Sequence, residues 1–246
     1  MLRWQDLLTA EPYAHVDVEL GAAVLEGAGK FTAEILAPIN QAGDRQSSIL
    51  RDGRVVTPDG FPAAYRQFAE GGWISLDLPE AYGGQDLPLV LQAAVAEMVN
   101  GACVAFAMLP LMQRAAVRLL IAHGTPEMTA RIAPRLAAGD WATTICISEA
   151  EAGSDVGRIR SLAAPASGGA YSLTGSKIFI TFGDHDLTEQ ICHLVLARTP
   201  DAAAGTRGLS LFMVPKLNFE TGLANGVSVS RVEQKMGLKA SPTCVL

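Results

Sequence analysis

Hydrophobic patterning changes character at Trp141, and that switch restricts the possible folds more than any other feature of the chain. Upstream of it, apolar residues recur at three- and four-residue intervals, the repeat of a helix with one buried face. Residues 16–37 follow this repeat through Leu20, Ala23, Val24, Ala28, Phe31, Ile35 and Leu36, with Pro38 marking the expected end. Residues 62–69 read as a short helix, and 89–100 and 104–123 as two strongly apolar ones. Thr125, Pro126 and Glu127 supply the N-cap and first turn of a further helix ending near Gly139. The intervening stretches 40–59 and 77–88 carry turn chemistry, including Asp52-Gly53 and Pro58-Asp59-Gly60. Residues 1–140 therefore predict an all-helical unit.

Downstream, the runs 143–147, 170–173, 177–180, 191–197, 208–214 and 227–232 are short, β-prone and separated by Gly, Pro, Asp and Ser. Helices first and strands afterwards argue for segregated α and β domains, 1–140 and 141–246, and against a doubly wound α/β sheet. Residues 243–246 have the character of a strand beginning. An apolar strand end left open is a template for pairing, so the expectation is that more protein follows or that another chain covers this edge.

Composition excludes several classes. Hydrophobic content of 49% with 18% charged residues rules out general disorder. A net charge of −6 without any cluster of Lys and Arg argues against a nucleic-acid partner. A single nucleotide cofactor remains compatible, because backbone N–H groups and hydroxyls can hold its phosphates. Cys103, Cys146, Cys192 and Cys244 form no CxxC pair, so they read as reduced, mostly buried thiols and no metal site is expected. The N-terminal stretch MLRWQDLLTAEP lacks the apolar core of a signal peptide. No window approaches the ~20 uninterrupted apolar residues of a membrane span, so a soluble cytoplasmic protein is expected.

Two segments carry the chemistry. In SEAEAGSD (148–155), Ala152-Gly153-Ser154-Asp155 after a β-prone run offers free backbone donors and a hydroxyl suited to a phosphate. The same turn also suits a surface loop or a helix N-cap. In KIFIT (177–181), alternation puts Phe179 and Thr181 on one strand face, able to stack on and hydrogen-bond a planar ring. A half-buried strand with an exposed Thr has the same pattern. Asp184-His185-Asp186 reads as a turn, solvated or bonding its own backbone, and His193 as structural.

In order and spacing, SEAEAGSD, TGSKIFITFG and KMGLKASPTCVL resemble the acyl-CoA dehydrogenase family, whose usual forms are TEPxAGSD, GxKxWITN and KxGxxxSxT. The helix region HGTPEMTARIAPRLAAGDW extends the likeness, which covers essentially the whole chain. DHDLTEQICHLVLARTPDAAAGTRGLSLFMVPK and AGKFTAEILAPINQAGDR are most similar to the longer members, of the 3-methylmercaptopropionyl-CoA dehydrogenase type. The resemblance implies a multidomain α and β protein: an all-α N-terminal domain, a β-barrel middle domain incomplete at its C-terminal end, and a C-terminal helical bundle absent from this sequence. It implies FAD as cofactor and an acyl-CoA substrate. It further implies an electron-transfer flavoprotein as electron acceptor and a homo-oligomer when full length.

Carried over by position, Ile145, Ile147, Ser148, Gly153 and Ser154 would line the flavin and its pyrophosphate, Ser154 also meeting phosphate or substrate. Phe179, Ile180 and Thr181 would lie behind the ring, with Thr181 near N5. The sequence departs from the family at Ser148 for Thr, Ala150 for Pro and Phe179 for Trp. Ser keeps the hydroxyl, whereas Phe keeps a stacking face but loses the indole N–H. The family's catalytic Glu belongs to the missing bundle, so no catalytic residue is assigned. Two alternatives share these residues: a subunit contributing half a flavin site to a partner chain, and an acyl-CoA oxidase or flavin monooxygenase of the same superfamily.

Overall fold

The computed structural model describes residues 4–9, 13 and 15–246; the other residues of the N-terminal stretch read above lie outside them. Helix α1 (Val18–Phe31) starts at Asp17, whose carboxylate accepts the Leu20 N–H at 2.7 Å. Pro38 does not end the helical path, contrary to expectation. A π-turn over Thr32–Leu36 is followed directly by α2 (Ala37–Gln46), with the proline in its first positions. The Ala37 N–H reaches back to the Thr32 carbonyl, a wider turn at which the helical path continues through the proline.

The first 140 residues are not purely helical. Strands β1 (Ile49–Arg51) and β2 (Arg54–Val56) form an antiparallel hairpin pairing Leu50 with Val55. Its turn is Asp52-Gly53, with φ of 50° and 74°, the paired left-handed conformation that matches hairpin twist. The turn signal was legible; the flanking strands are too short to show alternation.

Helix α3 (Phe61–Glu70) precedes the long α4 (Leu89–His123), whose two apolar runs meet at a non-helical Cys103 (φ −155°, ψ 88°). By length and composition alone α4 is apolar enough to cross a bilayer. In this fold it is the central helix, placing Leu91, Val95, Val99, Phe106 and Leu109 in one core cluster and Ala116, Val117 and Leu120 in another. Helix α5 (Pro126–Ala138) starts where Thr125 Oγ1 accepts the Met128 N–H.

Strands β3 (Trp141–Cys146) and β7 (Gln190–Arg198) run parallel, Trp141 against Gln190 through Cys146 against Val195. On its other edge β7 pairs antiparallel with β8 (Leu209–Pro215). Strand β4 (Leu162–Pro165), absent from the sequence expectations, joins the end of β7 at Arg198 and pairs with β5 (Tyr171–Thr174). Edge strands β5 and β8 meet through Tyr171 and Phe212, ring centroids 5.1 Å apart, without pairing. No closed barrel forms among the described residues.

A second sheet has the order β6 (Ile180–Thr181), β10 (Thr243–Val245), β9 (Arg231–Val232). The segment expected to be an open strand end is therefore a central strand, paired on both edges, with Cys244 fully buried. Both parts of the chain share one interior: Ala142, Phe182 and Ile191 belong to the core cluster built on α3 and α4.

Candidate functional site

Strand β3 ends at Cys146 and delivers Ile147 and Ser148 half-buried. The chain then folds back, Glu149 and Ala152 exchanging N–H···O bonds of 3.0 Å in each direction. Ala152 is buried beneath this turn, and Gly153 and Ser154 emerge at the surface. Asp155 accepts the Gly157 N–H at 3.1 Å and starts the next turn.

The segment carrying Phe179 and Thr181 lies alongside. Ile178 donates its N–H to the Ser148 carbonyl at 2.9 Å, so the two predicted segments are brought together. They are not joined as one alternating strand. Phe179 has φ of 60°, and β6 holds only Ile180 and Thr181. This break turns the Phe179 ring outward to 61% exposure, while Ile180 is buried and Thr181 half-buried. Ile145 packs against the core cluster of α4 and α5. Among the described residues no hydrogen bond links Ser154 to Thr181; the contact between the segments is at Ser148 and Ile178.

Beneath the site lies a charged pair that the sequence reading did not single out. Lys177 and Glu149 are 5% and 8% exposed, and Lys177 Nζ donates to Glu149 Oε1 at 2.8 Å. Burial opposes ionisation of Glu149, but Lys177, the Ser161 hydroxyl and the N–H groups of Arg160 and Ser161 outweigh it, holding its pKa down to about 2. Opposite charges embedded in the two chemistry-bearing segments were the available signal.

The surface fits the dinucleotide that the resemblance implies. The hydroxyls of Ser148, Ser154 and Thr181 make no hydrogen bond among the described residues, leaving donors and acceptors for a polar-edged ring and for phosphate oxygens. At Gly153 a Cβ would meet nothing within 4 Å, so the backbone there is open to a bulky ligand. The exposed Phe179 ring supplies a stacking face.

Other polar features lie apart from this surface. A cavity of about 800 Å³ is lined by Cys146, Lys177, His193, Val195, Phe212 and Val214, and includes none of Ser148, Ser154, Phe179 or Thr181. Asp184 and His185 are buried, not solvated: Asp184 pairs with Lys216 and accepts the Val55 N–H at 3.0 Å. His185 Nδ1 accepts the Leu187 N–H within its own loop, and His193 Nδ1 meets Thr144 Oγ1 at 2.8 Å. Burial pushes His185 down to about 3 and His193 to about 4, so both are neutral near pH 7 and serve the structure. All four cysteines are free and buried.

Comparison with known proteins gives two family matches, described as "Acyl-CoA dehydrogenase, N-terminal domain" over residues 22–140 and "Acyl-CoA dehydrogenase, middle domain" over 144–246. The chain is 43% identical over 248 residues to 3-methylmercaptopropionyl-CoA dehydrogenase of Ruegeria pomeroyi, covering 99% of this chain and 42% of that protein. It is 36% identical over 242 residues to the broad-specificity linear acyl-CoA dehydrogenase FadE5 of Mycobacterium tuberculosis, covering 95% and 39%. The chain thus spans about two fifths of these relatives, 42% and 39% of their lengths. Among solved structures, the fold is similar to an acyl-CoA dehydrogenase complexed with FAD from Bacillus anthracis (TM-score 0.73, 23% identity, 94% of this chain and 35% of that one). It is similar also to a glutaryl-coenzyme A dehydrogenase in its glutaryl-CoA complex (TM-score 0.74, 24% identity, 94% and 53%).

Proposed function

Because the chain belongs to the acyl-CoA dehydrogenase family, an FAD-dependent family of oxidoreductases, we propose that it provides the cofactor-binding half of an enzyme that desaturates an acyl-CoA thioester between its α and β carbons. In this reading residues 1–140 and 141–246 are the N-terminal and middle domains, the latter built on the two open sheets. The observation that carries it is the Ile178 to Ser148 backbone bond, which brings the segment of Ser148 alongside the segment of the exposed Phe179 and of Thr181.

When bound, FAD would supply the two-electron oxidant for the desaturation, and the α-proton would go to a carboxylate that is not assigned in this chain. The chain's own contribution is to hold and orient. Ser148 would hold a polar edge of the ring through its hydroxyl, with Ile145 and Ile147 lining it from the β3 side. Gly153 and Ser154 give a backbone and hydroxyl cradle for phosphate oxygens, Ser154 also facing the substrate. Phe179 would give the ring a stacking face and Thr181 a hydroxyl, while Ile180 anchors the strand in the core. None of the buried carboxylates is assigned as the proton-abstracting base, since Glu149, Asp77 and Asp184 are each committed to a cation. An electron-transfer flavoprotein as acceptor and a homo-oligomeric assembly belong to the same reading.

Titration of the chain with FAD, followed by flavin fluorescence and the visible spectrum, tests the proposal. Saturable binding weakened by Ser148→Ala and by Ser154→Ala is expected. A folded chain that leaves the flavin spectrum unchanged overturns it.

A further inference from the structure

Three consecutive residues, Ile147, Ser148 and Glu149, each bond the dipeptide Lys177-Ile178. Lys177 Nζ donates to the Ile147 carbonyl at 3.0 Å and to Glu149 Oε1 at 2.8 Å, and the Ile178 N–H donates to the Ser148 carbonyl at 2.9 Å. Glu149 in turn fixes a third segment. Its Oε1 accepts the Ser161 hydroxyl at 2.6 Å and the Ser161 N–H at 3.0 Å, and its Oε2 accepts the Arg160 N–H at 2.7 Å. The Lys177 backbone pairs with Leu246 in both directions at 2.9 Å, so the lysine cannot shift without breaking that pairing.

We propose that Lys177 and Glu149 are a positioning pair, a buried ionic joint that fixes Ser148 against Ile178, the residue before Phe179, and so sets the spacing of the two segments of the cofactor surface. Neither side chain is assigned contact with the cofactor; the pair acts through its neighbours, and the inference rests on the FAD reading above. A buried ion pair is a poor source of net stability, because desolvation offsets most of the Coulomb gain. What it supplies is direction. An apolar pair of equal volume fills the space but lets segments 147–154 and 177–181 slide, whereas four acceptor bonds on one carboxylate define a single register.

The test compares Lys177→Met, Glu149→Gln, the double variant Lys177→Met with Glu149→Leu, and the milder Ser161→Ala. Two readouts are taken: FAD affinity, and hydrogen exchange of residues 147–154 and 177–181 in the ligand-free chain. The double variant is expected to unfold cooperatively and yet bind FAD about tenfold more weakly, with faster exchange at Ile178. Ser161→Ala, which keeps both charges, is expected to move both readouts in the same direction by about threefold in affinity. Unchanged exchange and affinity within about twofold of the parent, in the double variant or in Ser161→Ala where the former does not fold, overturn the proposal. If the parent chain binds no FAD, the cofactor reading falls, while the exchange comparison still decides whether Lys177 holds the two segments together.

Discussion

Arg114 meets Asp77 in a two-point contact, Nε to Oδ1 at 3.0 Å and an Nη to Oδ2 at 2.8 Å, and thereby ties the loop before α4 to the middle of that helix. Arg118 adds a 2.6 Å contact to Oδ2 from a far more exposed position, 52% against 14% for the Arg114 side chain. Burial opposes ionisation of the Asp77 carboxyl, but the two guanidinium groups win and lower its pKa. Asp77→Ala leaves a half-buried Arg114 unpaired and is expected to cost about 3 kcal/mol, against less than about 1 kcal/mol for Arg118→Ala. Urea midpoints of the two variants check the ratio; equal losses contradict it.

Two buried histidines make the fold sensitive to acid. Burial holds His185 near pKa 3 and His193 near 4, against an ordinary 6.5. Both are neutral in the folded chain, so an unfolded chain gains their protons first. Stability is then complete above pH 6.5 and declines as pH falls towards 4 and 3, by about 1.4 kcal/mol per pH unit for each histidine. Glu149, held to about 2 from 4.5, adds a loss of the same sign between those values. Unfolding free energies at pH 7, 6 and 5 check this; a flat profile contradicts it, and His193→Gln is expected to halve the slope.

Phe179 combines a strained backbone with an exposed ring. Phe179→Gly relieves the left-handed conformation while adding freedom to the unfolded chain, so stability is expected to change by less than about 1 kcal/mol. Loss of the stacking face is expected to weaken FAD binding by about tenfold. Parental affinity in this variant removes Phe179 from the cofactor surface.

Thr57 donates both its N–H (3.2 Å) and its hydroxyl (2.6 Å) to Asp186 Oδ1, docking the β1–β2 hairpin on the loop before β7. Thr57→Val keeps the shape and removes the hydroxyl bond, with an expected cost of about 1–2 kcal/mol in urea unfolding. No measurable change would show that the hydroxyl bond adds nothing to the docking that the Thr57 N–H and the Val55 N–H already provide.

Much of this organisation was legible in the sequence because it rests on local rules. The Trp141 switch, the break between the two apolar runs at Cys103 and the Thr125 cap each follow from periodicity or capping, and all appear in the fold. What was not legible depends on distant partners. Pro38 continues a helix because a π-turn precedes it, and 243–245 is central because β6 and β9 flank it. The site divides in the same way. Its hydroxyls and its glycine were visible as residue types, but alternation could not foresee the positive φ at Phe179 that ends the strand there. Glu149 and Lys177 stood in plain view, yet only three-dimensional proximity made them a pair.

Strand β10 also sets a timetable. Synthesis proceeds from the N-terminus, and β6 finds its ladder partner roughly 60 residues later, a loop whose closure cannot precede the arrival of Thr243 at the ribosome exit. Thr181 therefore gains its strand partner only after residues 182–242 have emerged. A nascent chain halted before Thr243 would thus carry Ile180 and Thr181 without the strand that pairs with them.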